Sequence, residues 1–379
     1  MRQTCWTVNN ETGFLMTPAP IADLRTVDCS LSAEITDHLQ TLSEQLPTHL
    51  ANRSIRPALE ALPIYSFQTL NAVDDFRIVE RCYQLYAHFA QAYVWAEEHN
   101  PMKHIPAGVA VPLVELAHQV DRPPIIVYAN TALSNWQKVD PEGEMVVDNL
   151  RVVQKLIDIP DESWFHLTHV EIEAIGGDAL AGCFAATAAV GCGDQVSAEN
   201  ALLQIADALA RMHNTFRQIT RGCSPDLYFH TLRPFLFGFD DIIYEGVAEY
   251  GGKPQTLRGE TGAQSTLIPA IQNYLGLQHA HGGLSEHLEI MKSYMPTPHR
   301  NLLASIDQRY IRNWIAQQPN SLREAYNLCL QRVVEFRTLH LNYAHAYIAS
   351  KVKDPRGTGG TEFMRWLKQL RDETTEQYL

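Results

Sequence analysis

Apolar residues recur at steps of three or four along residues 321–350, where Ala325, Cys329, Val333, Phe336, His340, Tyr343 and Tyr347 fall on one helical face. Ser321 and Glu324 stand at capping-box spacing before this run, so the pattern predicts a long helix over 321–349. The same reading predicts helices over 33–46, 76–98 and 109–120, the last interrupted near its start by Pro112, and then over 179–190, 197–219 and 266–275. Ile125-Ile126-Val127-Tyr128 is the one good strand candidate of the first half. Turn-rich stretches at 140–144 and 158–163 mark a connection, which places a domain boundary near residue 160, between units 1–160 and 161–379. Small residues dominate 179–193, a run of about 15 residues that falls short of the roughly 20 needed to span a bilayer and reads as a buried helix at a close packing contact. The fold class is all-α, with no internal repeat and no low-complexity tract.

Composition narrows the partners. At 379 residues, 45% hydrophobic and 19% charged, the chain can bury a large core and has room for two domains. Its formal charge of -13 argues against nucleic-acid or anionic-membrane surfaces, which need a basic face, and leaves small ligands as the expected partners. Residues 1–10 lack a basic start followed by an apolar run, so a cytoplasmic location is expected. Seven cysteines without a Cys-x-x-Cys spacing fit reduced thiols better than disulfides or zinc, and the sequons at Asn10 and Asn52 then carry no meaning.

His340 is the candidate for chemistry. A histidine at the centre of an apolar stripe is either a hydrogen-bonded core residue or a ligand to something buried. Arg337, one turn earlier, can reach the edge of a flat ligand with outward-facing acidic groups, as haem propionates are. His213, His279, His281 and His345 are rival ligands by residue type, but stripe position, loop location or helix rotation favours packing or exposure for each. The loop Gly357-Thr358-Gly359-Gly360-Thr361 lacks the Lys-Ser/Thr of a phosphate cradle, and its glycines suit either a mobile lid or an ordinary flexible loop.

Several blocks in register then carry a resemblance. Arg233-Pro234-Phe235-Leu236, Tyr244-Glu245-Gly246-Val247, Gly262-Ala263-Gln264-Ser265, Met295-Pro296-Thr297-Pro298-His299-Arg300-Asn301 and Leu339-His340-Leu341 are similar to the indoleamine 2,3-dioxygenase family. So are Gly13-Phe14, Ala92-Tyr93-Val94-Trp95, Ala110-Val111-Pro112, Pro123 to Ala129, Asn135-Trp136 and Asp140-Pro141, in the same order. The resemblance implies a small, mostly helical N-terminal domain capping a larger helical bundle that binds haem b, one per chain. It also implies insertion of both atoms of the co-substrate O2 across the indole 2,3 bond of L-tryptophan or a related indole, giving N-formylkynurenine, with an external donor keeping the iron ferrous. His340 matches the family's axial ligand, and Gln272 stands where the family often has an acidic partner for that imidazole, which makes the iron less electron-rich. Arg233 matches the arginine that pairs with the substrate carboxylate, with Tyr228 and Phe229 as ring contacts. Tyr128, Thr131, Ala132, Cys183 and Thr187 match the distal wall, and Thr261, Gly262 and Ala263 the segment at the haem edge. Thr358 is expected to hydrogen-bond the substrate when the loop closes, and His299 to be a structural hydrogen-bonder. Cys183 in place of an aromatic ring implies a looser grip on the indole. A non-catalytic haem sensor or carrier, or a same-fold haem enzyme performing another indole oxidation, remains the alternative, and the oligomeric state is open.

Overall fold

The computed structural model describes residues 5–68, 70, 75–97, 100–353, 355–358 and 361–379. It is all-α, as the periodicity predicts, with two small sheets inserted. Ser32 caps the helix Ala33–Ala51 by accepting from the Ile35 N–H, and Asp75 caps Phe76–Trp95 by accepting from the Arg77 N–H. The Phe76–Trp95 helix is buried at every position from Ile78 to Val94, so it runs through the core and shows no polar face. Its expected end, Glu98, lies outside the described residues. Ala107–Val120 follows and closes on Asp121 in the left-handed region at φ 54°.

The expected strand at 125–128 is not formed. Pro123 and Pro124 supply no N–H, and side chains and local turns take several of the places a ladder partner would fill. Tyr83 Oη donates to the Pro123 and Ile125 carbonyls at 2.6 and 2.9 Å, and Tyr244 Oη to the Pro124 carbonyl at 2.7 Å. The Val127 N–H donates to Asn130 Oδ1 at 3.1 Å, and the Tyr128 N–H to Gln264 Oε1 at 2.8 Å. The segment enters a π-helical turn, Ala129–Leu133, with all five residues buried. The strands lie elsewhere: His104–Ile105, Phe239–Tyr244 and Gln255–Leu257 form one sheet in that order, and Gln137–Lys138 pairs with Leu150–Arg151.

A second difference concerns residues 158–163, read as a turn before a helix over 179–190. Residues 160–163 and the whole of 179–190 belong to one helix, Pro160–Cys192, with Ile159 as its extended N-cap. Pro160 occupies the first helical position, where its missing N–H costs nothing, and Asp161 and Glu162 are the acidic groups a helix N-terminus favours. Glu162 accepts from the Leu156 and Ile157 N–H groups at 2.7 and 2.9 Å, so charges that read as loop hold the entering chain instead. The expected close contact is present: a Cβ on Gly182 would stand 2.7 Å from Ile205 Cγ1 and 3.0 Å from the Ala201 carbonyl on the neighbouring helix Gln195–Arg217. By length and composition the 160–192 helix would suffice to cross a membrane, but half of its most apolar window is buried in this protein.

The Asn320–Tyr347 helix lies against Gln195–Arg217 and carries Phe363–Thr375 on its other side. It starts one residue before the predicted cap, with Pro319 as its N-cap and no side-chain capping bond, so Ser321 and Glu324 form no capping box.

One apolar core runs from Cys5 to Tyr347. His299 sits in it fully buried, its ring edge-on to Trp6 at 5.4 Å and Phe14 at 4.8 Å. Neither of its nitrogens has a hydrogen-bond partner among the described residues, so it is not the hydrogen-bonder the motif suggested. Burial first, then the Arg122 charge, pushes its pKa down to about 3. The folded state keeps this ring neutral while the unfolded chain protonates it below about 6.5, so stability is lost as pH falls from there toward 3. Each pH unit in that window costs about 1.4 kcal/mol for one such group. His299→Leu is therefore expected to flatten the acid limb of stability between pH 6 and 4 in urea unfolding, and an unchanged limb would contradict this origin.

Candidate active site

A partly open cavity of about 350 Å³ lies where the 160–192, 195–217 and 320–347 helices meet the C-terminal segment 357–370. The 320–347 helix contributes Phe336, Arg337, His340, Tyr343, Ala344 and Tyr347, so the C-terminal half of the stripe read from the sequence faces this space, while Ala325, Cys329 and Val333 of the same stripe pack in the core. More than a third of the His340 surface is open to it, and neither ring nitrogen has a hydrogen-bond partner among the described residues. Enclosure by protein, then the neighbouring His169 and the Arg337 charge, lowers its pKa to about 4, so the imidazole is neutral with a lone pair available. The bond expected from Gln272 is absent. Gln272 lines the cavity, and its side chain makes no hydrogen bond to the imidazole, while its backbone carbonyl accepts from the Gly276 and Leu277 N–H groups at the end of Leu267–Leu275.

Arg337 is 5% exposed and tied to the C-terminal helix, donating from Nη1 to the Leu370 carbonyl and to Thr374 Oγ1. Its Nη2 lies 3.2 Å from His279 Nε2, and His279 Nδ1 is 2.7 Å from Glu373. His279 is thus a member of a polar network that seats the C-terminal helix at the cavity edge. Burial lowers the Arg337 pKa to about 9, which leaves a guanidinium that is still charged at neutral pH.

The opposite wall comes from the N-terminal half of the 160–192 helix. Phe165, His169 and Glu173 recur every four residues and share one face toward the cavity, with His166 and Ile172 beside them. His169 Nδ1 is 2.7 Å from the Phe165 carbonyl, which fixes Nδ1 as the protonated nitrogen and leaves Nε2 as an acceptor. Burial lowers its pKa, so the ring stays neutral. Glu173 Oε1 accepts from Tyr128 Oη at 3.0 Å and Ser265 Oγ at 2.6 Å, joining three segments of the wall. Sequence reasoning missed Phe165, His166, His169, Glu173, Phe216 and Glu260. The signal was the four-residue spacing of ring and acid in 165–173, obscured because the helix was started at 179.

Tyr128, Thr131 and Ala132 line the cavity from the π-helical turn, and Thr261, Gly262 and Ala263 line it from a 3-10 turn that Thr261 Oγ1 caps at the Ala263 N–H. Tyr228 lines it from a second π-helical turn, Tyr228–Leu232, whose i to i+5 bond sets Arg233 over Tyr228. Phe229 and Arg233 are not wall residues. The Arg233 guanidinium lies 5.5 Å from the Phe229 ring and 4.8 Å from that of Phe237, and its Nη2 donates 2.5 Å to the Arg356 carbonyl. Thr358 is a wall residue, but its hydroxyl donates 2.6 Å to the Glu260 carbonyl, and its own carbonyl accepts from the Gly238 N–H at 3.2 Å. Gly359 and Gly360 of the expected lid lie outside the described residues.

Cys183 and Thr187 are not at the cavity. Cys183 is fully buried beside Cys329 at the junction of the three helices, and Thr187 returns its hydroxyl to the Cys183 carbonyl at 2.8 Å. They lie ten or more residues, about 15 Å of helix, beyond the stretch that meets the cavity. The ring that packs on Tyr228 is Phe165, with centroids 5.0 Å apart, so the expectation of a looser indole grip loses its basis. Cys183→Phe is expected to overpack this junction and destabilise the fold by about 1–3 kcal/mol, seen in unfolding midpoints, without changing ligand affinity. A selective change in affinity at unchanged stability would put Cys183 back at the site.

Fold and cavity together define an all-helical protein with a partly open aromatic chamber, lined from one side by the neutral His340, without a hydrogen-bond partner among the described residues, and from the other by the anchored His169. A model of the indoleamine 2,3-dioxygenase family matches residues 2–377. Indoleamine 2,3-dioxygenase 1 of Mus musculus is 30% identical over 365 residues, covering 89% of this chain and 88% of the relative; that of Rattus norvegicus is 29% identical over 365 residues, with the same coverage. Indoleamine 2,3-dioxygenase of Saccharomyces cerevisiae is 27% identical over 417 residues, covering 96% of this chain and 90% of the relative. The chain belongs to the indoleamine 2,3-dioxygenase family, and it is an enzyme of the dioxygenase class.

Proposed function

We propose that this chain is a haem-dependent dioxygenase that inserts both atoms of O2 across the indole 2,3 bond of L-tryptophan, giving N-formylkynurenine. The observation that carries the reading is His340, a neutral imidazole without a hydrogen-bond partner among the described residues, facing a largely apolar chamber. The donor set fits haem: one strong nitrogen donor, flat apolar walls from Phe336, Phe363 and Trp366, and the Arg337 guanidinium one turn away for an acidic edge. Haem, kept reduced by an external donor, would supply the iron that activates dioxygen.

The remaining tasks fall to the chain's own side chains. Phe165 and Tyr228, tilted 40° to one another, offer ring faces that hold an indole in one plane. His169, with Nδ1 committed to the Phe165 carbonyl, presents Nε2 as an acceptor for the indole N–H. Ser265 and Tyr128 keep Glu173 engaged, so that carboxyl serves the wall and does not compete for the ring nitrogen. Arg233 remains the candidate for the substrate carboxylate, through movement of the 356–358 segment, whose Arg356 carbonyl now takes its Nη2 bond. The experiment is to add L-tryptophan and a reductant to the haem-loaded protein in air and follow the absorbance of N-formylkynurenine. Its appearance at the rate of tryptophan loss supports the reading; tryptophan left intact opposes it.

A further inference from the structure

We propose that Glu260 is the substrate-contacting residue that recognises the α-ammonium group of the amino acid. The proposal rests on an amino-acid substrate, as above, and gives that site a charge selection of its own. Glu260 is 5% exposed and lines the cavity. Its Oε1 accepts from Thr131 Oγ1 at 3.2 Å, while Oε2 has no hydrogen-bond partner among the described residues and is not sealed against protein. A carboxylate so buried is costly unless a cation or several donors meet it, and one threonine hydroxyl does not suffice. Its charge is felt at the Tyr228 hydroxyl, as is the opposite charge of Arg233, so both groups lie within electrostatic reach of that side chain. The segment 356–358 joins them, since Arg233 donates to the Arg356 carbonyl and Thr358 to the Glu260 carbonyl. A zwitterion laid against Tyr228 would meet Glu260 with its ammonium and, once segment 356–358 moves off Arg233, the guanidinium with its carboxylate.

Glu173, the other carboxyl of the cavity, cannot take this part. Its Oε1 already accepts two hydroxyls, and its Oε2 is sealed within protein. Burial, offset only by the Thr131 bond, raises the Glu260 pKa to about 7, which fits a group held ready for a cation and not already paired with one.

The test is binding to the haem-loaded protein by three probes: L-tryptophan, tryptamine without the carboxylate, and indole-3-propionate without the ammonium. Wild type is expected to bind L-tryptophan about tenfold or more tightly than indole-3-propionate. Glu260→Gln is expected to weaken L-tryptophan and tryptamine by about tenfold or more and leave indole-3-propionate unchanged. Glu260→Asp, which keeps the charge, should retain the preference for ammonium-bearing probes, and guards against a loss caused by misfolding. Equal weakening of all three probes in Glu260→Gln, or no wild-type preference for the ammonium, overturns the assignment. Ammonium-dependent binding without product would defeat the dioxygenase reading alone, whereas turnover with no ammonium dependence would defeat Glu260 alone.

Discussion

His340→Ala is expected to purify without a Soret band and without dioxygenase activity, while its far-UV circular dichroism stays that of the wild type. The two halves of this result have different causes. Haem affinity falls because the strongest axial donor is gone and the other walls offer mainly dispersion contacts. The fold survives because His340 makes no hydrogen bond within the described residues and faces the chamber, so its removal enlarges an existing space and opens no new cavity in the core. A Soret band of wild-type shape in the variant would move the ligand to another residue. His169, the histidine of the opposite wall, would be the first to examine, because its Nε2 is also uncommitted.

The second large effect concerns stability. Arg122 and Glu80 form an ion pair whose side chains are 0% and 1% exposed, and Glu80 also accepts from Trp6 Nε1 at 2.6 Å. The guanidinium stands 5.5 Å from the Trp6 ring and 5.0 Å from that of Tyr83, while Nε and Nη1 have no hydrogen-bond partner among the described residues. Glu80 is therefore what compensates a fully buried charge. Glu80→Ala is expected to cost about 3–5 kcal/mol, because it strands Arg122 in the core, whereas replacing both partners by leucine should cost much less. Urea midpoints of the two variants measure this difference. A loss below about 1 kcal/mol in Glu80→Ala would mean that water or another group reaches Arg122.

Much of this architecture is legible in the residues, and where it is not, the reason is physical. The 320–347 helix and its inward stripe follow from three-and-four spacing, which is a local property of the chain. The segment 125–128 misleads because β-branched residues favour strands, but the bonds that decide its backbone come from Asn130, Gln264, Tyr83 and Tyr244. At the site, His340, Arg337, Tyr128, Thr131 and Tyr228 were found through motif or stripe, and all five line the cavity. Cys183 was misplaced because a helix without landmarks permits register errors, and its true cavity-facing turns lie about 15 Å nearer the N-terminus. Glu260 was missed because an acid beside Gly259 and Thr261 reads as a solvated turn; only the tertiary fold brings Thr131 to it and closes the chamber over it.

The central claim is that this chamber directs both atoms of one dioxygen molecule into the indole ring. Haem-loaded, reduced protein supplied with L-tryptophan and isotopically labelled dioxygen in unlabelled water tests it most directly, with the product read by mass spectrometry. The account predicts N-formylkynurenine carrying two labelled oxygens from the same molecule of O2. Product with one labelled oxygen, or a hydroxylated indole with its ring intact, would contradict it.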